Sequence, residues 1–130
     1  MKSLTLLVLA RPTDRHLAML ERLPEDTRIV TGDRPEAFSS AASEADALLA
    51  WFTNRELLEL VFKMAPRIRW VHVSSTGLDS LLFPELAESP ALLTNARGAF
   101  SWSLAEFALA AVLFFAKGLR RLVRSQEAGT

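Results

Sequence analysis

The residues best placed to do chemistry lie in the second half of the chain. Ser74-Ser75-Thr76-Gly77-Leu78-Asp79 sets a glycine among small hydroxyl residues. A loop of this kind lets backbone N–H groups approach an anion closely, because no Cβ or bulky side chain stands in the way. The same spacing also suits a tight turn, with Gly77 at positive φ and Asp79 capping the next helical turn. Asn95-Ala96-Arg97-Gly98 is the second segment. There Arg97 offers a guanidinium to a carboxylate or a phosphate, or is a solvated arginine on an exposed turn. Ser101 follows closely, and Ser103-Leu104-Ala105-Glu106 has the form of a capping box, in which Ser and Glu satisfy each other's end of a helix start. Trp51-Phe52 closes an apolar run, and Trp51 and Phe52 either wall a ligand pocket or pack in the core. Neither histidine is a convincing catalytic base: His72 sits between Val71 and Val73, as a packed strand residue would, and His16 reads as a helix-surface residue.

The composition excludes several chemistries. There are no cysteines, so thiolate nucleophiles, thiolate metal sites and disulfides are ruled out, and no metal site is expected. The five glycines (Gly32, Gly77, Gly98, Gly118 and Gly129) cannot form G-x-G-x-x-G. Fifteen basic residues balance fifteen acidic ones, which gives no electrostatic reason to expect nucleic acid or an anionic membrane as partner. The apolar start, Leu4–Ala10, lacks the features of a cleaved signal. The run Phe107–Ala116 falls short of the roughly 20 residues a membrane span needs. A cytoplasmic protein is the expectation.

Short apolar runs alternate with amphipathic stretches. Strands are predicted at Leu4–Ala10, Thr27–Thr31, Ala47–Phe52, Ile68–Ser74 and Ala91–Thr94. Helices are predicted between them. The first carries Leu17, Met19, Leu20 and Leu23. The second opens at Asp33-Arg34-Pro35-Glu36 in capping-box form. The third opens at Thr53-Asn54-Arg55-Glu56, and a short one covers Leu81–Leu86. Strands separated by helices imply a parallel sheet. The fold class is therefore α/β: a flavodoxin-like, five-stranded parallel sheet with helices on both faces, followed by one long apolar helix from Ser103 to about Arg124. Residues 1–100 form the sheet domain, and 101–130 the helical extension. In such sheets ligands gather outside the carboxyl ends of the strands, which points at Ala10-Arg11-Pro12, Trp51-Phe52-Thr53, Ser74–Gly77 and Asn95–Gly98.

The order and spacing of Val71–Asp79, Thr94–Gly98 and Ser103–Glu106 resemble the substrate-binding domain of the D-isomer-specific 2-hydroxyacid dehydrogenases. The resemblance covers most of the chain in organisation, but its specific motifs fall within residues 68–117. It implies that the loop Ser75–Gly77 holds a substrate carboxylate, with Thr76 and Gly77 providing the amides. It places Phe52 and Arg97 at the substrate, Ser101 near cofactor or substrate, and a structural acid at Asp79. It further implies a small 2-hydroxy or 2-keto acid as ligand and NAD or NADP in the full-length enzyme, with none bound by this chain alone. The family's catalytic Arg, Glu and His have no counterpart here. The chain stops at Thr130, about where that family's nucleotide-binding domain begins, so a truncated part without turnover of its own is expected.

The other reading is a non-enzymatic flavodoxin-like binding or dimerisation module. A receiver domain needs clustered acids after the first strand and an Asp after the third, where this chain has Ala10-Arg11-Pro12 and Trp51-Phe52. A flavin site needs a Ser/Thr/Gly-rich loop after the first strand, which is also missing. On either reading the last helix is apolar around much of its circumference and expects cover, which predicts a homodimer through residues 103–124.

Overall fold

The computed structural model describes residues 3–51 and 53–129. Five strands form one all-parallel sheet: β1 (Thr5–Leu9), β2 (Arg28–Gly32), β3 (Ala47–Ala50), β4 (Trp70–Val73) and β5 (Leu92–Asn95). Their spatial order is β2-β1-β3-β4-β5, the flavodoxin-like arrangement, with the chain reversing direction between β1 and β3. The register runs Leu7 beside Val30 and Leu48, Leu48 beside Val71, and Val71 beside Leu93.

Side chains alternate between two faces because successive strand residues point oppositely. Leu7, Leu9, Leu48, Ala50, Val71 and Val73 point to the first face. There they meet Phe38, Leu58 and Val61, the latter two from helix α1 (Arg55–Met64), and Leu86 from helix α2 (Pro84–Ala87). Leu7, Val8, Leu9, Phe38, Leu58, Val61 and Val71 are wholly buried, each adding about 1.5–3 kcal/mol of transfer free energy. On the second face Leu6, Val8 and Ala47 pack against Leu17, Leu20 and Leu23 of a 3₁₀ helix, Arg15–Arg22, and its exit. At the amino edge the buried Asp46 carboxylate accepts from the Thr5 amide (3.2 Å) and from Arg69 Nη2 (3.0 Å), so it anchors the start of the sheet.

Several boundaries move from those predicted. The first connector is 3₁₀ rather than α, and Met19 is exposed rather than core-facing. Eight residues between Asp14 and Leu23 are too few to bury a wide face, and only the leucines reach the sheet. Asp33 is not a cap: the next turn begins at Pro35 after Arg34, whose side chain makes no capping bond. For α1 the cap is Asn54, not Thr53, with Oδ1 accepting from the Leu57 amide at 2.9 Å. Asn competes well for this position.

The chain divides into two compact units, Met1–Arg97 and Gly98–Thr130. The second holds two helices, α3 (Ser101–Ala116) and α4 (Leu119–Ala128), bent by 68° where one long helix was expected. Gly118 causes the break: its φ of 59° is left-handed, a conformation only glycine adopts at little cost. No residue of α3 or α4 is buried. No single helix among the described residues is long and apolar enough to cross a membrane.

Candidate functional site

A parallel sheet brings the carboxyl ends of all its strands to one edge. Backbone bonds carry the pairing one step past each strand: Ala10 donates to Gly32 (3.0 Å), Trp51 to Leu9 (3.0 Å), Ser74 to Ala50 (3.1 Å) and Ala96 to Ser75 (3.1 Å). The loops singled out from sequence therefore stand side by side along this edge. Arg11 and Thr53 begin the β1 and β3 loops there, and Thr76 and Arg97 belong to the β4 and β5 loops.

The loop after β4 is built in an informative way. Ser75 Oγ donates to the Gly77 carbonyl (2.7 Å) and Asn95 Nδ2 donates to the Thr76 carbonyl (2.6 Å). Both carbonyls are thus held by neighbouring side chains. The amides of Thr76 and Gly77 donate to no protein acceptor among the described residues, and both residues are exposed. An exposed loop with its carbonyls engaged and its N–H groups open presents donors to an anion.

The competing tight turn does not hold. Gly77 lies outside the left-handed region, unlike Gly98 at φ 86°, and a Cβ built on Gly77 meets nothing within 4 Å. Nor does Asp79 cap the turn; the next bonds are backbone, from Leu81 and Leu82 to the Leu78 carbonyl. Neither backbone conformation nor packing demands a glycine at position 77.

Asn95 joins this loop to the next. Its Oδ1 also accepts from the Arg97 amide (3.4 Å), so one side chain holds both loops and brings the Arg97 backbone beside Thr76. The Arg97 side chain is exposed, as either reading of it allowed. Phe52 lies outside the described residues. Ser101 is the first residue of α3, in the second unit, where its amide donates to Gly98 (3.3 Å). The capping box is corrected: α3 starts at Ser101 after Phe100, so Ser103 is already its third residue and caps nothing. The residues Ser101 and Trp102 tolerate helical backbone, and the helix extends back through them.

Sequence reasoning missed Asn95 as the organiser, although an Asx side chain at a strand end is a recognised local hydrogen-bonding device. It also missed a contact at the β1/β3 reversal. Asp14 Oδ1 accepts from the His16 amide and lies 2.9 Å from His16 Nδ1, while Asp14 Oδ2 accepts from Trp51 Nε1 (3.2 Å). The His16 amide above all, then its ring, holds the Asp14 carboxyl below the usual carboxylate range. Trp51 is half-buried and packs with the second-face core, so it follows the core alternative. His72 is a strand residue with Nδ1 2.9 Å from Thr94 Oγ1, as a packed histidine should be. A cavity of about 140 Å³ opens at the reversal, bounded by Ala10, Arg11, Asp33, Thr53 and Leu57. No group of three or more His, Asp or Glu among the described residues is arranged to hold a metal ion.

No family model matches the chain, and no curated protein matches it. Among solved structures it is similar to a D-isomer specific 2-hydroxyacid dehydrogenase family protein from Aeromonas salmonicida subsp. salmonicida A449, with a TM-score of 0.70 and 22% sequence identity. The match covers 99% of this chain and 41% of that one, so the chain spans less than half the length of the protein it matches. What the two share, at this identity, is the fold: a parallel α/β sheet with C-terminal helices, found in a protein of the dehydrogenase family that the β4 loop and its neighbours resemble.

Proposed function

We propose that this chain is the substrate-binding part of an NAD(P)-dependent D-2-hydroxyacid dehydrogenase, and that the β4 loop holds the carboxylate of a 2-hydroxy or 2-keto acid. The observation that carries this reading is the pair of open amides at Thr76 and Gly77, with their loop carbonyls tied down by Ser75 and Asn95. A carboxylate accepts well from two adjacent N–H groups, and charge-assisted bonds of this kind are about twice as strong as neutral ones. The likeness to a dehydrogenase-family protein supports the fold on which this reading rests.

The residues present do not fit a dinucleotide. The turn after β1 is Ala10-Arg11-Pro12, with no glycine to let a pyrophosphate approach. Gly32 is buried and gives its missing Cβ to packing against Ala37, not to a ligand. The hydride transfer of such an enzyme, between nicotinamide and C2 of the acid, therefore draws nothing from these residues beyond orientation of the substrate. The chain alone is expected to turn nothing over.

Titration of ¹⁵N-labelled chain with oxamate or oxalate tests the reading. Chemical-shift changes centred on the amides of residues 75–77 are expected. Shifts absent from this loop at saturating ligand would refute it and favour a module without substrate. NADH oxidation with glyoxylate or pyruvate by the chain alone would refute the expected lack of turnover.

A further inference from the structure

The chain as a whole is electrically balanced, but its charges are not evenly spread. Lys117, Arg120, Arg121 and Arg124 fall within eight positions, and no acidic residue stands between Glu106 and Glu127. The ion pairs among the described residues all lie within the unit Met1–Arg97, so none of these four cations has a carboxylate at ion-pair distance. Their placement is unfavourable for the helix itself. Arg120 and Arg121 occupy the first turn of α4, the end at which the helix dipole disfavours cations. Arg124 follows Arg120 by four residues and Arg121 by three, the spacings that set like charges side by side. Both effects reverse once an anion sits among the three guanidinium groups. The bend between α3 and α4 gives such an anion a place. It encloses a cleft of about 480 Å³, lined by Arg120, Arg121, Arg124 and Ser125 of α4 and by Phe114 and Phe115 of α3, all within one unit. The two rings meet edge to face with centroids 5.6 Å apart, and Phe115 is 79% exposed.

We propose that this cleft binds a small phosphomonoester carrying a flat ring, the chemistry of a nucleoside monophosphate. The arginines select the phosphate. Each guanidinium presents paired N–H donors that match phosphate oxygens two at a time. A phosphomonoester near neutral pH carries a charge of about −1.5 to −2 and three acceptor oxygens, which answers three cations. A carboxylate, with one charge and two oxygens, leaves part of the cluster unserved. The size of the cleft and its aromatic wall select the ring. A volume of about 480 Å³ is far more than one inorganic anion fills and lies in the usual range for small organic ligands, about 300–1,000 Å³. An exposed phenyl face beside the cations is a surface on which a flat base stacks, whatever its hydrogen-bonding edge. The left-handed Gly118 sets the bend, so the cleft is built into the backbone. This site is independent of the carboxylate reading of the β4 loop, which belongs to the other unit.

Titration of the ¹⁵N-labelled chain with AMP, ribose 5-phosphate and adenosine tests the proposal, since each of the last two keeps only one half of the ligand. AMP is expected to shift the amides of residues 114–125 and to bind at least about fivefold more tightly than ribose 5-phosphate, the worth of one stacked base. Adenosine is expected to leave these amides unmoved at the same concentration. Arg121→Gln and Arg124→Gln, both at exposed positions, should each weaken AMP at least about tenfold, as loss of a charge-assisted bond does. Phe115→Ala should lower the affinity for AMP to that for ribose 5-phosphate, and circular dichroism checks that each variant keeps its helices. These resonances are separate from those of residues 75–77, so the outcome with oxamate does not decide this one. Residues 114–125 unmoved at about 5 mM AMP, where even a millimolar site is mostly filled, would overturn the proposal. So would adenosine moving them as AMP does, ribose 5-phosphate binding as tightly as AMP, or either arginine variant binding AMP like the parent.

Discussion

Removing one open amide of the β4 loop tests the site most directly, and proline does this at a single position. Thr76→Pro and Gly77→Pro each delete an N–H while leaving the held carbonyls in place. A hydrogen bond to a charged group contributes about 1.5–3 kcal/mol, so each variant should bind oxamate roughly 10- to 150-fold more weakly. Thr76→Ala is the matched control, because it keeps the amide and removes only a side chain for which the structure shows no hydrogen bond; its affinity should stay within about twofold. The bonds Ser75–Gly77 and Asn95–Thr76 are expected to keep the loop in place, and circular dichroism and thermal melts confirm that each variant is folded. Asn95→Ala extends the test, since it frees the Thr76 carbonyl without touching an amide: affinity should fall while the shifted resonances remain those of residues 75–77. Isothermal calorimetry supplies the affinities. A folded Gly77→Pro or Thr76→Pro that binds as tightly as the parent would show that these amides do not hold the ligand.

Three further expectations concern the frame around the site. Gly32→Ala places a Cβ against that of Ala37, inside the packing of β2 on its connector, and should cost about 1–3 kcal/mol, read as a lowered melting temperature. Gly118→Ala puts a Cβ on a left-handed residue, about 1–2 kcal/mol unfavourable, so α3 and α4 should straighten into one helix; spin labels at Val112 and Leu122 would move apart. Asp14 has its folded-state pKa depressed by the His16 amide and ring, so its stabilisation is present above the ordinary carboxylate pKa and disappears as pH falls through the lower, folded-state value. Thermal melts from pH 7 down to 2 should therefore show a shallower acid-side decline for Asp14→Asn than for the parent.

The sheet was legible because its signals are local and repeated. Leu6–Ala10 is a continuous apolar run since β1 is covered on both faces, whereas β2, β4 and β5 each leave residues exposed and were marked by short apolar runs between turn and helix signals. Boundaries were less legible, because caps are decided by backbone geometry that several residues can satisfy: Asn54 rather than Thr53 and Phe100 rather than Ser103. The helix break at Gly118 was visible only as a glycine within an apolar pattern, which many helices tolerate. At the site, the small residues of Ser74–Gly77 announced a loop able to approach an anion. The residue that shapes it, Asn95, comes from the next strand. No spacing rule connects Asn95 with Thr76 across nineteen positions until the register of β4 and β5 brings them together.

That register also decides which side chains of β4 and β5 reach the site and which face the sheet's second side. Val71 and Val73 fix β4 against the core, so the residues between and before them, His72 and Trp70, must face the other way. Thr94 is opposite His72, and its hydroxyl gathers both rings, while the next residue along β5, Asn95, turns to the edge and holds the Thr76 carbonyl. A shift of β5 by one residue would put Leu93 or Asn95 where Thr94 now gathers the rings, and Thr94 or Ala96 where Asn95 now holds the loop. In either direction the Thr76 carbonyl would lose Asn95 as its anchor. Oxamate binding should therefore fail under a substitution that disturbs the β4–β5 register even where residues 75–77 are untouched, whereas Thr76→Pro should weaken it with the register intact.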